Sequence, residues 1–187
     1  MFYSIKTVLK EQFEYRKLIY RMSLFELKGS HQAHYLGTLW QFIHPVIQIL
    51  IYWLVFGIGL RGGQPVDGVP FILWLLMGLI PWFFISPSLV QGSNSVFQKV
   101  NLVSKMNFPV SILPMIKLIS NSFQFFILLI LLTIALTFSG FYPTIYMFQI
   151  FYYLFCLYMF LFSFSILSST FSTLIRDYQM FLQSMMR

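Results

Sequence analysis

Residues 39–60 read LWQFIHPVIQILIYWLVFGIGL, a stretch without a single charged side chain. A helix needs about 20 apolar residues to cross the hydrocarbon core of a bilayer. Three further uncharged apolar stretches occur at 69–90, 118–138 and 145–167. The sequence therefore predicts an all-α integral membrane protein, a polytopic helical bundle with four spans.

The overall composition excludes a soluble protein. Hydrophobic residues make up 58% of the chain and charged residues only 9%, whereas soluble domains carry about a quarter charged residues. The net charge of +7 is not gathered into a basic patch with polar surroundings, which argues against a nucleic-acid partner. The single cysteine, Cys156, lies within an apolar run, so neither a disulfide within the chain nor a cysteine-based metal site is expected.

Glycine, proline and charged residues divide the apolar stretches into an arm and a membrane domain. The segment RGGQPVDGV at 61–69 and the segment SGFYP at 139–143 are predicted turns. After the fourth stretch, IRDYQ leads into the start of another apolar helix. We predict a cytoplasmic N-terminal arm over 1–38 and a transmembrane domain over 39–187, with spans at 39–60, 69–90, 111–138 and 145–175 and a fifth span beginning at about 178.

The distribution of lysine and arginine predicts which ends of the spans face the cytoplasm. Six lie in the N-terminal arm, three between residues 91 and 117, and one at Arg176, which gives ten on one side of the membrane. The opposite side has only Arg61. Positive charge is enriched in cytoplasmic loops, so the N-terminus, the 91–117 region and the Arg176 loop are predicted to be cytoplasmic.

The N-terminal arm has the pattern of an amphipathic helix. One side of the helical wheel forms a charged stripe, and the opposite side is mainly apolar. We expect this helix to lie in the inner headgroup layer with its charges toward anionic lipid or a partner; the alternative is an ordinary helix packed on another domain. The charged stripe comprises Lys6, Lys10, Glu14, Lys17, Arg21 and Lys28, and the apolar side comprises Val8, Tyr15, Leu18, Ile19, Met22 and Phe25.

The residue types needed for ion coupling or catalysis are missing from the apolar stretches. They contain no Asp, Glu, Lys or Arg, and His44 is the one titratable candidate near them, which argues against a proton- or sodium-driven carrier. No HExxH, GxSxG or Walker-type GxxxxGK[ST] motif occurs in the 187 residues. We therefore expect no enzyme activity in this chain itself, and any active transport would take its energy from another polypeptide.

The basic, proline-bounded segment NLVSKMNFPVSILPMIK at 101–117 is the candidate contact point for such a polypeptide. A helix is predicted over 94–106, and Pro109 and Pro114 should stiffen its return to the bilayer. Exposed apolar side chains of this helix could dock into a groove of a partner. The candidates for docking are Val96, Val100 and Val103. A plain connecting loop is the alternative.

Three stretches of the chain resemble a known family. HYLGTLWQFIHP at 34–45 and SKMNFPVSILP at 104–114 resemble the entrance to span one and the cytoplasmic coupling segment of ABC-2 type permeases, which export bacterial cell-surface polysaccharides. RGGQPVDGVPFILWLLMGLIPWFFI at 61–85 looks most similar to the teichoic acid translocation permeases of Gram-positive bacteria. The resemblance runs over the whole chain.

This resemblance implies a multi-pass permease of the bacterial cytoplasmic membrane. Such permeases have six spans, form homodimers and associate with a separate ATP-binding subunit, which holds ATP and Mg, so that the permease itself binds no cofactor. The complex exports a polymer linked to undecaprenyl diphosphate, here wall teichoic acid. Because only four spans and the start of a fifth are seen, we expect the 187 residues to be a fragment.

The resemblance also assigns candidate site residues. Residues of the two cytoplasmic loops would couple the permease to the ATPase, and aromatic residues near the membrane faces would line the polymer path, unless they form an ordinary aromatic belt in contact with lipid. The coupling candidates are Lys99, Val100, Val103, Lys105, Asn107, Phe108, Pro109, Arg176 and Asp177. The path candidates are Tyr35, Trp40, Trp53, Trp74, Trp82, Phe83 and Phe84.

Three other functions remain open on the sequence. The first is export of O-antigen or capsular polysaccharide by the same family. The second is a membrane scaffold of a polymer-synthesis complex, without transport. The third is a passive channel, for which SFSILSSTFST at 163–173 would supply a polar stripe, although Ser and Thr in spans more often serve close helix packing.

Overall fold

The computed structural model describes residues 2–29, 37–60, 62–105, 108–142 and 144–186. Two of the predicted site residues, Tyr35 and Asn107, lie outside these ranges. The described chain is built from helices, which confirms the all-α prediction. The helices are α1 (Phe2–Glu14), α2 (Arg16–Gly29), α3 (Trp40–Tyr52), α4 (Phe71–Gln98), α5 (Val100–Lys105), α6 (Ile112–Phe138), α7 (Gln149–Leu174) and α8 (Asp177–Met185).

Four helical segments are long and apolar enough to cross a membrane, as the sequence predicts. They are Ile43–Leu60, Phe71–Lys105, Ile112–Phe138 and Ile145–Leu174. The first consists of α3 and a π-helical continuation, Trp53–Leu60. The fourth combines α7 with the 3₁₀ turn Ile145–Phe148 that precedes it.

The second span is longer than predicted. We placed its end at residue 90, where the polar run QGSNS begins, but α4 continues to Gln98. Gly92, Ser93 and Ser95 of this run are buried. Small residues allow two helix backbones to approach closely: a Cβ on Gly92 would lie 2.6 Å from Oγ of Ser165 in α7. The polar run therefore forms a helix contact and not the start of a loop.

The core of the membrane domain lies where α4 packs against α6 and α7. The Phe84 ring is 1% exposed and stacks on Phe125 at a centroid distance of 4.6 Å. Offset aromatic stacking of this kind contributes beyond the burial of apolar area. The buried residues of this cluster are Ile80, Phe84, Leu89, Leu118, Phe125, Leu128 and Leu161.

The N-terminal arm packs on the third span. Helices α1 and α2 follow each other almost directly, since the Tyr15 amide still donates to the Glu11 carbonyl at 3.0 Å. Ile19 is buried against Ile112, Leu113 and Ile116 of α6. The apolar side of the arm therefore packs on the membrane domain itself and not on another domain. The charged stripe on the opposite side is exposed along its whole length.

The first span is attached loosely to the rest of the bundle. Only 11% of its most apolar window is buried, as in the fourth span, compared with 28% for the second and for the third span; unlike the fourth span, however, it has little contact with α4. The N-terminal half of the first span leaves an open space toward α4 and α6. Polar side chains form part of the lining of that space.

Candidate functional site

The predicted coupling helix is divided between two elements. Residues 94–98 complete α4, and the separate helix α5 has only six residues, Val100–Lys105. Lys99 joins the two with φ −111° and ψ 18°, and its amide donates to the Val96 carbonyl at 3.1 Å. The end of the second span therefore continues almost directly into residues 99–109, which we call the coupling segment. Two helices joined at Lys99 thus replace the single helix predicted over 94–106.

The three apolar candidates of this segment have different surroundings. Val96 and Val103 are half-buried against the Ile19 cluster, and Phe108 packs there as well. Val100 is 48% exposed. Of the valines predicted to dock on a partner, Val100 is thus the one that the structure presents outward.

A cleft separates the N-terminal arm from the coupling segment, and we call it the arm cleft. Its volume is about 550 Å³. Because both signs of charge occur on the arm side and apolar groups on the coupling side, the arm cleft has the character of a protein contact surface. Its lining residues are Thr7, Lys10, Glu11, Glu14, Tyr15, Val103, Phe108 and Pro109.

One carboxylate of the arm lies between two lysines of the coupling region. Lys99 Nζ donates to Glu26 Oε1 at 2.5 Å. Lys117 Nζ lies 3.0 Å from Glu26 Oε2, a charge contact that lacks the alignment of a hydrogen bond. The arm, the end of α4 and the first turns of α6 therefore meet at Glu26.

The loop at Arg176 reaches the same end of α4. The Arg176 guanidinium lies 5.5 Å from the centroid of the Phe97 ring, within the range of a cation–π interaction. Gln179 of α8 accepts a hydrogen bond from the Ser93 hydroxyl at 2.6 Å and donates to the Val90 carbonyl at 3.2 Å. Asp177 begins α8 and is exposed, as is Lys105.

A second cleft opens between α3, α4 and α6, bordered by Glu26 of α2 and Gln183 of α8, and we call it the span cleft. It consists of two adjoining cavities of about 320 Å³ and 520 Å³. Its lining combines aromatic rings with side-chain amides, which gives the cleft a mixed apolar and polar wall. The residues common to both cavities are His44, Pro45, Phe83, Pro87, Gln91 and Gln124.

Three of the path candidates line the span cleft and three lie elsewhere. Trp40, Trp82 and Phe83 line one or both of its cavities. Trp74 lies in the first turn of α4, is 48% exposed and stacks on Phe71. Trp53 contacts the backbone at Gly57, and Phe84 belongs to the core. The aromatic candidates thus divide into cleft-lining and packing residues.

Comparison with known proteins gives the family of the chain. The family model described as ABC-2 type transporter matches residues 18–186. This chain belongs to the ABC-2 type transporter family. The match begins within α2 and runs to the end of α8, and so includes the coupling segment, the span cleft and the Arg176 loop, whereas the arm side of the arm cleft lies before it.

Curated relatives of this ABC-2 chain carry one name, O-antigen export system permease protein RfbA. The protein from Myxococcus xanthus is 30% identical over 137 residues, which cover 73% of this chain and 51% of that protein. Two from Klebsiella pneumoniae are 24% identical over 120 residues and 25% identical over 100 residues. The chain spans about half the length of these relatives or less. None of the three names refers to teichoic acid.

Sequence reasoning missed Glu26. It lies on the apolar side of α2, four residues after Met22 and seven after Ile19, away from the charged stripe. A carboxylate at such a position requires a cationic partner. That rule would have identified Glu26 as paired, although not with which lysines.

Proposed function

We propose that this chain is the membrane permease part of an ATP-driven exporter of lipid-linked cell-surface polysaccharide in the bacterial cytoplasmic membrane. The observation that carries the proposal is the family match over residues 18–186. The names of the relatives favour an O-antigen type of polysaccharide. Wall teichoic acid, which the 61–85 resemblance favoured, has no support from these names.

The ATP-binding partner would dock on the cytoplasmic ends of α4 and α6. There the exposed Val100 and Lys105 lie close in sequence to the Glu26–Lys99 contact, and Arg176 joins them through Phe97. ATP and Mg would be held by the partner, since residues 1–187 have no phosphate-binding loop of the Walker type. In this arrangement the N-terminus is cytoplasmic and two permease copies work with two ATPase subunits.

The span cleft is the candidate path for the polar part of the substrate. Aromatic faces pack against sugar rings, and side-chain amides both donate and accept hydrogen bonds. Trp40, Trp82 and Phe83 supply the first, and Gln91 and Gln124 the second. The proposed path therefore runs between the first span and the α4–α6 pair.

The first experiment is purification of the tagged protein, expressed from its own gene, from its native membranes in mild detergent. We expect a stoichiometric ATP-binding subunit in the complex and ATP hydrolysis by it. If the protein is instead recovered with polymer-synthesis enzymes and without an ATPase, that result would support a membrane scaffold of a polymer-synthesis complex.

Depletion of the protein then tests the substrate. An export defect should leave lipid-linked polymer on the inner face of the membrane, where it can be extracted and analysed by mass spectrometry. Repeating sugar units would support the O-antigen type, and repeating polyol phosphates would support teichoic acid. No accumulation of lipid-linked polymer would contradict the proposed function.

A further inference from the structure

Glu26 occupies an unusual position for a carboxylate. It follows Ile19 and Ser23 along the side of α2 that packs on α6, and both of these residues are buried. Its own side chain is 18% exposed. A negative charge at this depth is unfavourable unless opposite charge compensates for it. The structure supplies two compensating charges, from two different helical regions.

The two cations belong to the parts of the chain that leave and re-enter the spans. Lys99 ends α4, and Lys117 lies in the second turn of α6. Their side chains are 22% and 17% exposed, so both contacts are shielded from solvent more than an ordinary surface ion pair. Without Glu26, two ammonium groups would remain near each other with no carboxylate between them.

Other contacts already fasten the arm to α6. Ser23 donates its hydroxyl to the Ile116 carbonyl at 3.1 Å, and Gln12 donates its amide to the Ser111 carbonyl at 3.0 Å. Ser111 in turn donates to the Glu11 carboxylate. These bonds join the arm to the start of the third span, and Glu26 extends the connection to the end of the second span.

We propose that Glu26 is a positioning residue that makes the arm, the end of α4 and the start of α6 move as one unit. A partner that displaces α5 would then displace the arm and both spans together. The identity of that partner rests on the proposed function, whereas the connection itself does not.

Hydrogen–deuterium exchange of the complete protein in lipid nanodiscs tests the connection directly. Glu26→Lys should lower the amide protection of 16–29 and of 99–105 by about tenfold, because both ion pairs become repulsions. The inverted triple variant Glu26→Lys/Lys99→Glu/Lys117→Glu restores both pairs with opposite signs and should recover the protection. Glu14→Lys makes the same charge change at an exposed arm position and should leave it unaltered.

A milder variant covers the case in which Glu26→Lys does not fold. Glu26→Gln keeps the size of the side chain and removes its charge, and it should lower protection of the same two segments by about threefold. Unchanged protection in a folded Glu26→Gln protein would overturn the proposal. So would an inverted triple variant that folds but stays as unprotected as Glu26→Lys.

A second readout separates this proposal from the proposed function. In the complex with its ATPase, Glu26→Gln should raise the number of ATP molecules hydrolysed per polymer exported, since displacement of α5 no longer reaches both spans together. If exchange changes as expected but no ATP-dependent export exists, the connection stands and the exporter function fails. If export is present and exchange is unchanged, the connection fails.

Discussion

At the scale of single residues, Phe83 and Phe84 show how neighbours on one helix take different roles. Phe84 is 1% exposed between Phe125 and Tyr158, whereas Phe83 lines the span cleft. Their rings leave α4 about 100° apart, because a helix has 3.6 residues per turn. The sequence placed both on the polymer path, since composition alone cannot say which ring faces the core.

The first prediction concerns this pair of residues. Phe84→Ala should destabilise the protein by about 3–5 kcal/mol, the usual cost of removing a buried aromatic ring. Phe83→Ala should change stability much less and should reduce export instead. The first effect is measured by thermal unfolding of the detergent-solubilised protein, monitored as the loss of its monodisperse peak in size-exclusion chromatography. Equal unfolding temperatures for the two variants would contradict this assignment.

The second prediction concerns the close approach of α4 and α7. Gly92→Ala places a Cβ 2.6 Å from the Ser165 hydroxyl and 3.0 Å from its Cβ, so the helices must move apart and the unfolding temperature should fall. Gly78→Ala is the matched control, because a Cβ there meets nothing within 4 Å. It should leave the unfolding temperature unchanged or raise it, given the higher helix propensity of alanine. A Gly92→Ala protein as stable as the control would show that the contact is loose.

At the scale of helical elements, the coupling segment shows what a sequence reveals and what it does not. Basic charge and proline marked 101–117 as an interruption of the apolar pattern, since both are local signals, but the second apolar segment runs on to Lys105 and α6 already begins at Ile112. The extent of α4 was wrong, because small polar residues read as a loop when their burial partner, Ser165, is more than 70 residues away in the chain. Burial against a distant helix is not a local signal.

The third prediction concerns docking on α5. Val100 is exposed and apolar, so Val100→Asp should weaken binding of the ATP-binding subunit, with a loss of copurified ATPase of about tenfold. Val100→Thr, which has almost the same shape, is the control and should retain most of the partner. Undiminished copurification with Val100→Asp would place the docking surface elsewhere.

The fourth prediction concerns the segment that follows α5. Phe108 and Pro109 line the arm cleft, and their joint replacement by alanine should uncouple ATP hydrolysis from export, because the stiff apolar contact with the arm is lost. ATP turnover and polymer export are to be measured together in membrane vesicles. Normal export by the double variant would remove this segment from the coupling route.

At the scale of the whole molecule, the number of apolar spans follows from the sequence, whereas their mutual packing does not. Four apolar stretches gave four spans, because hydropathy is a property of each segment alone. The two clefts depend on which helix faces meet. Sequence periodicity carries little of that information in spans that are apolar on every side.

The fifth prediction concerns the two glutamine side chains in the wall of the span cleft. Gln91→Leu and Gln124→Leu, singly and together, should reduce export, since they remove hydrogen-bonding groups from the cleft wall. Gln149→Leu is the control, because Gln149 is exposed at the start of α7. Export by the double variant at the level of this control would exclude the cleft as the path.

The small-residue contact between α4 and α7 has a mechanical consequence. Helices that touch at Gly92 and Ser165 have little freedom to slide, and α6 is stacked on α4 through the aromatic core. We expect these three helices to move as one rigid unit, and the first span, which has little contact with α4, to move separately from it. We expect a force applied at the cytoplasmic ends of the helices to move this three-helix unit relative to the first span. The width of the cleft between them, rather than the shape of any helix, would then change during each cycle.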